Sequence, residues 1–549
     1  MACTTILVGK NASYDGSTIV ARNEDSPNGQ FEPKKMAVIA PEDQPRTYTS
    51  VLSHLTFDLP DDPMRYSSVP DAIGGHGIWA AAGFNEANVS MSATETLTSN
   101  ERVLGADPLV VYAPAQGKEG EPGYVPAVPG GLGEEDMVTV TLPYIRSARE
   151  GVARLGKLLE TYGTYEMNGI AFSDTDEIWW LETVGGHHWI AKRVPDDAYV
   201  TMPNQLGIDY FDLLDAEGEQ VEHMASPDLR EWMEENHLNL TMTSRFDVDD
   251  VLDEEFFDDP SDLDDDEVEA YEEYVGGLIE LIDDVREGMR TGEIFNPRDA
   301  FGSHSDSDHV YNTPRAWYMQ RCLNPHDGWD GMDAAFTPES DDIPWSRVPE
   351  RKVTIEDVKY VLSSHFQGTP YDCYGAMGTP ATRNAYRPIG INRNSQLAVL
   401  QIRPYVPAPL ACVQWMSFGS NVFNALVALY ANVEEFPAYL SNTTERVTSE
   451  NFYWANRLIG ALADVRFHET GAKVESYQEK IGALGHKMLR ETDRAAAGLP
   501  AAEVPGALAA ANAQLCDTLK AETEKLLGQV LYTTSCAMKN GFAMSDNER

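Results

Sequence analysis

Basic residues and cysteines are both scarce in this sequence. Its 549 residues contain 41 lysines and arginines against 88 aspartates and glutamates, for a formal net charge of −47. Because such a surface repels phosphates, we expect neither nucleic acid nor anionic membrane as a partner. The six cysteines are widely spaced and form no C-x-x-C pair, which argues against a disulfide scaffold and against a zinc site of the usual spacing.

Long apolar runs are also missing. No stretch of about 18 apolar residues occurs, so we expect no membrane-spanning helix. The N-terminus lacks the basic segment and apolar run of a secretory signal, and the simplest interpretation is a cytoplasmic protein. With 42% hydrophobic residues, the chain can form one large core or two to three smaller domains.

The beginning of the chain has the composition of a β-hairpin. Residues 4–8 and 18–21 are apolar or β-branched, and the segment between them is rich in turn residues. An antiparallel pairing of these strands returns Arg22 and Asp25 to the neighbourhood of Cys3. The hairpin therefore brings a thiol, a guanidinium and a carboxylate together near the N-terminus.

A cysteine in this position permits a particular chemistry. Removal of Met1-Ala2 would leave Cys3 with a free α-amine, whose ordinary pKa of about 7.7–8.0 suits it to accept the thiol proton. The thiolate is then a strong nucleophile, and the charge of Arg22 favours its formation. The alternative is an ordinary edge-strand cysteine beside a surface ion pair of Arg22 and Asp25.

Further elements follow from local patterns. Residues 73–97 predict two strands joined by a turn, and residues 169–204 predict a meander of four antiparallel strands. Because His187 and His188 are neighbours on one of these strands, we expect their side chains to point to opposite faces. Helices are predicted at 134–163, 424–440, 451–468, 474–497 and 508–527. The late helices leave open a packing on the core or a homo-oligomer contact.

Two polar regions contain residue types that can bind metal ions. From about 247 to 295 the chain is an acidic insertion, and it lacks the glycine that an EF-hand loop needs at its sixth position. The loop 303–309 contains His304, Asp306, Asp308 and His309, which are metal ligands by type. Such loops more often satisfy their own backbone, so we expect no metal.

Several short blocks occur in an order found in one known family. They are Cys-Thr-Thr at 3–5, Arg-Asn-Glu-Asp-Ser at 22–26, Gly-Phe-Asn-Glu at 83–86, Met-Ser-Ala-Thr-Glu-Thr at 91–96, Trp-Trp-Leu-Glu-Thr-Val-Gly-Gly-His-His-Trp at 179–189 and Met-Pro-Asn-Gln at 202–205. With these blocks the chain resembles the cysteine dipeptidases of peptidase family C69, within the N-terminal-nucleophile hydrolases. More distantly, it resembles the penicillin V acylase and bile salt hydrolase group.

The resemblance implies a fold and a domain organisation. The fold is an α+β, αββα sandwich, in which two stacked antiparallel sheets lie between helical layers. Met1-Ala2 would be a propeptide, residues 3–420 the catalytic core with the acidic insertion, and residues 421–549 a mainly helical part packed on that core.

The resemblance also implies catalytic roles for individual residues. Cys3 would be the nucleophile, and Arg22 and Asp25 match the three-residue spacing seen in the acylases. Asn204 occupies the place of an oxyanion-hole asparagine. The second oxyanion-hole position falls near Glu95, where a carboxylate is a poor donor.

Recognition of a dipeptide requires groups for both of its charged ends. We expect Glu95 to bind the substrate ammonium, and Arg245 or Arg315 to bind its carboxylate. No metal or organic cofactor is required.

These observations favour a thiol dipeptidase that hydrolyses dipeptides through a thioester acyl-enzyme. Two alternatives remain at this point. One is an amidase acting on non-peptide acyl amides such as penicillin V or bile salts. The other is a secernin-like interaction protein that keeps the fold without catalysis.

Overall fold

The computed structural model describes residues 3–27, 30–241, 277, 284–285, 287–289, 291–331 and 334–539. The predicted propeptide, Arg245 and most of the acidic insertion lie outside the described residues. Within the described helices, none combines the length and apolar character needed to cross a membrane.

The described strands and helices are named here in chain order. The strands are β1 (Cys3–Val8), β2 (Thr18–Asp25), β3 (Ala37–Ile39), β4 (Thr47–Thr49), β5 (Thr56–Asp58), β6 (Tyr66–Ser68), β7 (Ala82–Phe84), β8 (Ser90–Thr96), β9 (Asn168–Ser173), β10 (Ile178–Thr183), β11 (Trp189–Arg193), β12 (Tyr199–Met202), β13 (Phe211–Asp212), β14 (His223–Ala225), β15 (Ile294–Phe295), β16 (Ser346–Arg347), β17 (Asn394–Ile402), β18 (Cys412–Phe418) and β19 (Val427–Tyr430). The α-helices are α1 (Glu101–Ala106), α2 (Glu134–Thr141), α3 (Ala148–Tyr162), α4 (Leu213–Glu217), α5 (Leu229–Glu235), α6 (Pro297–Phe301), α7 (Asp308–Tyr311), α8 (Thr313–Leu323), α9 (Ile355–Leu362), α10 (Ala408–Ala411), α11 (Ala438–Ser441), α12 (Phe452–Asp464), α13 (Phe467–Ala496) and α14 (Val504–Cys536).

Two large antiparallel sheets organise these elements. The seven-stranded sheet has the order β16-β12-β1-β2-β17-β18-β19, and the six-stranded sheet has the order β14-β11-β10-β9-β8-β7. Strands β1 and β2 contact β8, and β2 also contacts β9, so the sheets meet along these strands. Helices α12, α13 and α14 pack on β18 and β19, whereas α2 and α3 pack on the six-stranded sheet. The fold is thus α+β, with its largest sheets antiparallel throughout.

The central strands of the seven-stranded sheet are buried on both faces. All residues of β1, β2 and β17 are buried, which agrees with their uninterrupted apolar runs at 6–8, 19–21 and 397–400. The apolar run of β2 ends at Ala21, after which four polar residues, Arg22-Asn23-Glu24-Asp25, are also almost completely buried. Buried polar groups need partners, and buried titratable groups cluster at functional sites. This strand end is therefore a candidate functional site.

The structure confirms the local predictions at the beginning of the chain. The first hairpin is β1 and β2, and the predicted turn between strands in 73–97 joins β7 to β8. The predicted helix 134–163 is divided into α2 and α3, because a 3-10 turn containing Pro143 interrupts it.

The predicted four-stranded meander is only partly right. Strands β9, β10 and β11 form consecutive hairpins, but β12 leaves them and pairs with β1 in the other sheet. Pro195 follows β11 and has no N–H to donate to a neighbouring strand, which favours departure of the chain from the six-stranded sheet at this point. The crossing chain passes close to the first hairpin, since a side chain at Gly9 would lie 2.3 Å from the carbonyl oxygen of Pro195.

Two other predictions are wrong. The segment 424–440 contains strand β19, which pairs with β18, because a short buried apolar run has no periodicity that separates strand from helix. His187 and His188 do not point apart, because they precede β11 in a turn. Their Nδ1 atoms lie 3.1 and 2.7 Å from the two carboxylate oxygens of Asp107.

The long C-terminal helices are as predicted apart from their ends. Helices α12, α13 and α14 fall within or around the predicted ranges. Helix α13 ends at Ala496, just before the Gly498-Leu499-Pro500 stop signal.

Candidate active site

The register of the first hairpin decides which side chains meet. Cys3 pairs with Glu24, and Thr5 pairs with Arg22. Directly paired residues share a face of an antiparallel sheet and alternate residues share it too, so Cys3, Arg22 and Glu24 project together. Asp25 belongs to the opposite face.

Arg22 is the residue closest to the thiol among its charged neighbours. Its Nη1 lies 3.1 Å from Cys3 Sγ and 2.8 Å from the carbonyl oxygen of Thr94, and its Nε lies 3.0 Å from Ser92 Oγ. Its Nη2 donates to the carbonyl oxygens of Ala81, at 3.1 Å, and Ala93, at 2.7 Å. The guanidinium is therefore fixed by strand β8 and the chain before β7, with one edge facing the sulfur.

The thiol itself is fully enclosed. Cys3 has no exposed surface, and this burial raises the pKa of its thiol to about 12, against the opposing effect of the Arg22 charge. A thiol in this state is protonated at neutral pH and is a poor nucleophile. Activation therefore requires a base beside the sulfur and an opening to solvent.

A buried network of ion pairs surrounds Arg22. Its guanidinium lies 3.7 Å from Glu24 and 3.6 Å from Glu134. Lys34 has no exposed surface, and its Nζ lies 2.5 Å from Glu24 and 2.7 Å from Asp71. Since an unpaired buried charge is costly, Lys34 compensates Glu24, one of the two acids beside Arg22, together with Asp71.

Asp25 has its own partners on the other face of the hairpin. Arg387 forms an ion pair with its carboxylate, and Asn394 Nδ2 donates to it at 2.5 Å. Asp25 lies one position beyond Glu24, the residue paired with Cys3. Asp25 therefore lies at the same end of the hairpin as Cys3, the first residue of β1.

Asn204, Glu95 and Arg315 form one connected group at the same strand end. Asn204 Nδ2 donates to Glu95 Oε1 at 2.8 Å and to the carbonyl oxygen of Thr96 at 2.9 Å. Its Oδ1 accepts from Arg315 Nη2 at 2.8 Å. Arg315 Nη1 donates to the carbonyl oxygen of Cys3, so this group contacts Cys3 through its backbone.

Glu95 is buried between two donors. Its second oxygen accepts from Thr5 Oγ1 at 2.8 Å. Burial raises the pKa of Glu95 to about 8, while the nearby Arg315 charge opposes this rise. The carboxyl is therefore largely protonated at neutral pH and holds the Asn204 amide in place.

The loop 303–309 uses its polar groups locally. Asp308 accepts from Ser305 N at 2.9 Å and from Ser305 Oγ at 2.8 Å. His304 and His309 both face Asp341, at 3.8 and 3.0 Å. Asp308 therefore satisfies groups of its own loop, as expected, whereas the two histidines face a carboxylate outside it.

A different trio of ligand-type residues was missed by the sequence reasoning. His365, Asp372 and Cys373 offer ligand atoms within 4.8 Å of one another. His365 Nδ1 already lies 2.7 Å from Asp372 Oδ1, in a hydrogen-bonded pair. The three residues are separated from the first hairpin in sequence and carry no recognisable spacing motif.

Comparison with known proteins identifies the family. The model of peptidase family C69 matches residues 2–262 and 259–480. The chain is 58% identical over 585 residues to a dipeptidase of Bifidobacterium longum (strain NCC 2705), covering 100% of both chains. It is 50% identical over 546 residues to a probable dipeptidase A of Streptococcus pyogenes serotype M3 (strain SSI-1), again covering 100% of both. It is 42% identical over 532 residues to dipeptidase A of Lactobacillus helveticus, covering 96% of each chain.

The match to the family model and the length of these similarities decide the class. The protein is a hydrolase of the peptidase type. The chain belongs to peptidase family C69.

Proposed function

We propose that this chain is a cysteine dipeptidase whose mature N-terminus is Cys3. The observation that carries the proposal is the 3.1 Å contact between Arg22 Nη1 and Cys3 Sγ in the first hairpin. The names of the relatives, all dipeptidases or probable dipeptidases, support dipeptides as the substrate class. The two large sheets that meet at β1 and β8, with helices on their outer sides, support the αββα sandwich of N-terminal-nucleophile hydrolases.

Maturation supplies the base that the enclosed thiol lacks. Hydrolysis of the Ala2–Cys3 bond releases Met1-Ala2 and leaves an α-amine within one residue of the sulfur. The amine takes the thiol proton, and the Arg22 charge stabilises the thiolate that forms. Asp25, at the end of the hairpin where this amine emerges, is the group we assign to orient it.

The thiolate then attacks the carbonyl carbon of the dipeptide. A sulfur–carbon bond forms, the carbonyl oxygen becomes an oxyanion, and the C–N bond breaks as the Cys3 ammonium returns a proton to the departing amino acid. Water, deprotonated by the same amine, attacks the thioester and releases the first amino acid and the thiol. Nucleophile and base are thus both parts of Cys3, and no metal or organic cofactor takes part.

Asn204 is the side chain we assign to the oxyanion. Its carbonyl is held by Arg315 and its amide by Glu95, so the orientation of the side chain is fixed before substrate arrives. An oxyanion would take over the amide hydrogen that Thr96 now accepts. Loss of such a donor typically costs about 3–4 kcal/mol of barrier.

The same contacts favour positioning roles for two residues expected to bind substrate. Both oxygens of Glu95 accept hydrogen bonds from protein groups, and Arg315 donates to Cys3, Thr4, Asn204 and Asn312. Arg245, the other candidate for the substrate carboxylate, lies outside the described residues. We infer that Glu95 and Arg315 hold Asn204 and the Cys3 backbone.

The test compares three substrate classes on purified protein and on Cys3→Ala. We expect hydrolysis of simple dipeptides such as alanyl-alanine, no turnover of penicillin V or glycocholate, and no activity in the variant. Faster turnover of penicillin V or glycocholate than of any dipeptide would favour the amidase. Failure of correctly folded protein on all three classes would favour the interaction protein.

A further inference from the structure

Three arginines converge on the side chain of Tyr311, the last residue of α7. The guanidinium carbons of Arg315 and Arg387 lie 5.1 and 5.3 Å from the centre of its ring, and Arg393 Nη2 donates to its hydroxyl. Arg315 Nη1 and Arg387 Nη1 also lie 2.7 and 3.5 Å from the same atom, Thr4 Oγ1. Tyr311 and the three arginines, named here the Tyr311 cluster, therefore adjoin the beginning of β1.

The Tyr311 cluster holds more positive than negative charge. Arg387 pairs with Asp25, whereas every hydrogen-bond acceptor of the fully buried Arg315 is a neutral group. Arg393 is half-buried and forms no ion pair within the described part of the chain. Glu95, the other acid beside Arg315, is largely protonated, and even its ionised form would leave three cations against two anions. This excess of positive charge lies in a protein whose net charge is −47.

Arg387 has a donor without an acceptor. The residue is 7% exposed, its Nη2 faces Asp25, and its Nη1 donates to the carbonyl oxygen of Pro388 at 3.1 Å. Its Nε is buried and has no hydrogen-bond partner among the described residues. Burial, and next the charge of Arg393, lower the pKa of Arg387, so an added anion would stabilise its charged form. An unpartnered buried donor costs free energy, which points to an acceptor that arrives with a ligand.

A cavity lies beside this arginine. Its volume is about 230 Å³, and its wall includes Arg387, Val310 and Ile391. Tyr371 and Tyr386, whose ring centres are 4.6 Å apart, line another part of it. A small molecule therefore has space next to Arg387.

The ligand that suits the Tyr311 cluster is a carboxylate. A carboxylate brings a negative charge and two acceptor oxygens but no donor, and a guanidinium can pair with it through two N–H groups. A neutral amide or an alcohol would leave the excess positive charge uncompensated. A dipeptide, the substrate class proposed above, ends in such a carboxylate.

The position of the cluster relative to Cys3 matches the length of a dipeptide. Thr4 Oγ1 lies 3.5 Å from Arg387 Nη1 and 2.8 Å from the carbonyl oxygen of Cys3, so the last two atoms are at most about 6.3 Å apart. In a dipeptide, three bonds join the attacked carbonyl carbon to the carboxylate carbon and keep them about 3–4 Å apart. A guanidinium that binds the carboxylate then lies within about 8 Å of the attacked carbon. Because Cys3 is the first residue of β1, a dipeptide can cross the strand end from the thiol to the face that carries Asp25.

We propose that Arg387 and Arg393 form the subsite for the C-terminal carboxylate of the substrate. This rests on the proposed dipeptidase function and deepens it, because it names the groups that recognise the end of a two-residue substrate. In a tripeptide or a C-terminal amide, a neutral amide group takes the place of that carboxylate. The subsite therefore predicts a preference for free dipeptides over both.

The test uses Arg393→Gln, because Arg393 is half-buried and contacts neither Cys3 nor Asp25. Alanyl-alanine and alanyl-alaninamide, which differ only at the C-terminal group, are compared by kcat and KM. We expect the wild type to favour alanyl-alanine at least tenfold in kcat/KM. Arg393→Gln should raise KM for alanyl-alanine at least tenfold with kcat changed less than threefold, and should leave kcat/KM for the amide within threefold. The matched variant is Arg321→Gln, at a half-buried arginine that pairs with Asp330, and it should keep the preference of the wild type.

A merely structural role for Arg393 would change both substrates by the same factor, and that result overturns the subsite. Equal kcat/KM of the wild type for the two substrates overturns it as well, whether or not Arg393→Gln folds. If the wild type cleaves neither substrate, calorimetric binding of both to the same protein decides. Tighter binding of alanyl-alanine than of its amide then supports the subsite while the proposed peptidase function fails, and equal binding or none contradicts the subsite.

Discussion

Replacement of Arg22 by lysine tests how the thiol is activated. The guanidinium donates to the carbonyl oxygens of Thr94, Ala81 and Ala93 and to Ser92 Oγ, and it also faces Cys3 Sγ. A lysine ammonium keeps the charge but has three donors at one point, so it leaves about two of these buried acceptors unpaired. At about 1–3 kcal/mol for each, Arg22→Lys should lower the free energy of unfolding by roughly 2–6 kcal/mol.

The same substitution should reduce the reactivity of the sulfur. Burial already raises the pKa of the Cys3 thiol, and the Arg22 charge is the main effect that opposes the rise. If lysine cannot reach the sulfur, the thiol should titrate at higher pH and kcat/KM for alanyl-alanine should fall about 100-fold or more.

Urea unfolding measures the stability change, and the pH dependence of iodoacetamide alkylation measures the thiol. Arg351→Lys is the control, because Arg351 is a largely exposed partner of Asp357 and its replacement should change stability by less than about 0.5 kcal/mol. An unfolding midpoint and an alkylation profile identical to those of the wild type would refute the role assigned to Arg22.

Three further outcomes follow from the buried charges and from the chemistry of Cys3. Lys34→Met leaves Glu24 and Asp71 without their shared cation and should destabilise the protein by about 3–5 kcal/mol in urea unfolding; a change below 1 kcal/mol would contradict the network. In the folded protein Glu95 keeps its proton up to a pKa of about 8, whereas in the unfolded chain it loses the proton near pH 4. Between these two pH values, the contribution of Glu95 to the free energy of unfolding falls by up to about 1.4 kcal/mol per pH unit. Glu95→Gln removes this term, and the variant should gain stability relative to the wild type from pH 5 to pH 8; parallel pH profiles would argue against a protonated Glu95. Treatment with EDTA should leave dipeptide hydrolysis unchanged, and a loss restored by added metal would contradict a mechanism based on Cys3 alone.

The part of the site that sequence reasoning identified is the part made by local structure. Strand composition and a turn-rich connection predicted the first hairpin, and alternation along its strands places Arg22 beside Cys3. The partners of Asp25 could not be predicted in this way, because Arg387 and Asn394 lie more than 360 residues away in sequence.

The remaining differences also arise from long-range packing. Glu134 belongs to an acidic first turn of a kind that commonly complements a helix dipole, and only the stacking of α2 on β8 brings it to Arg22. The segment 424–440 reads as a helix from its apolar residues, but β18 offers β19 an edge to pair with. Pattern alone carries no information about such an edge.

The most direct measurement is the mass of the active protein. Intact-mass analysis of purified, dipeptide-cleaving material, together with mass analysis of Cys3→Ala, reports whether the mature chain begins at residue 3. The account predicts a wild-type chain that starts with Cys3 and has lost Met1-Ala2, and an inactive variant. Fully active protein that still begins with Met1 or Ala2, or a Cys3→Ala variant with wild-type turnover, would contradict it.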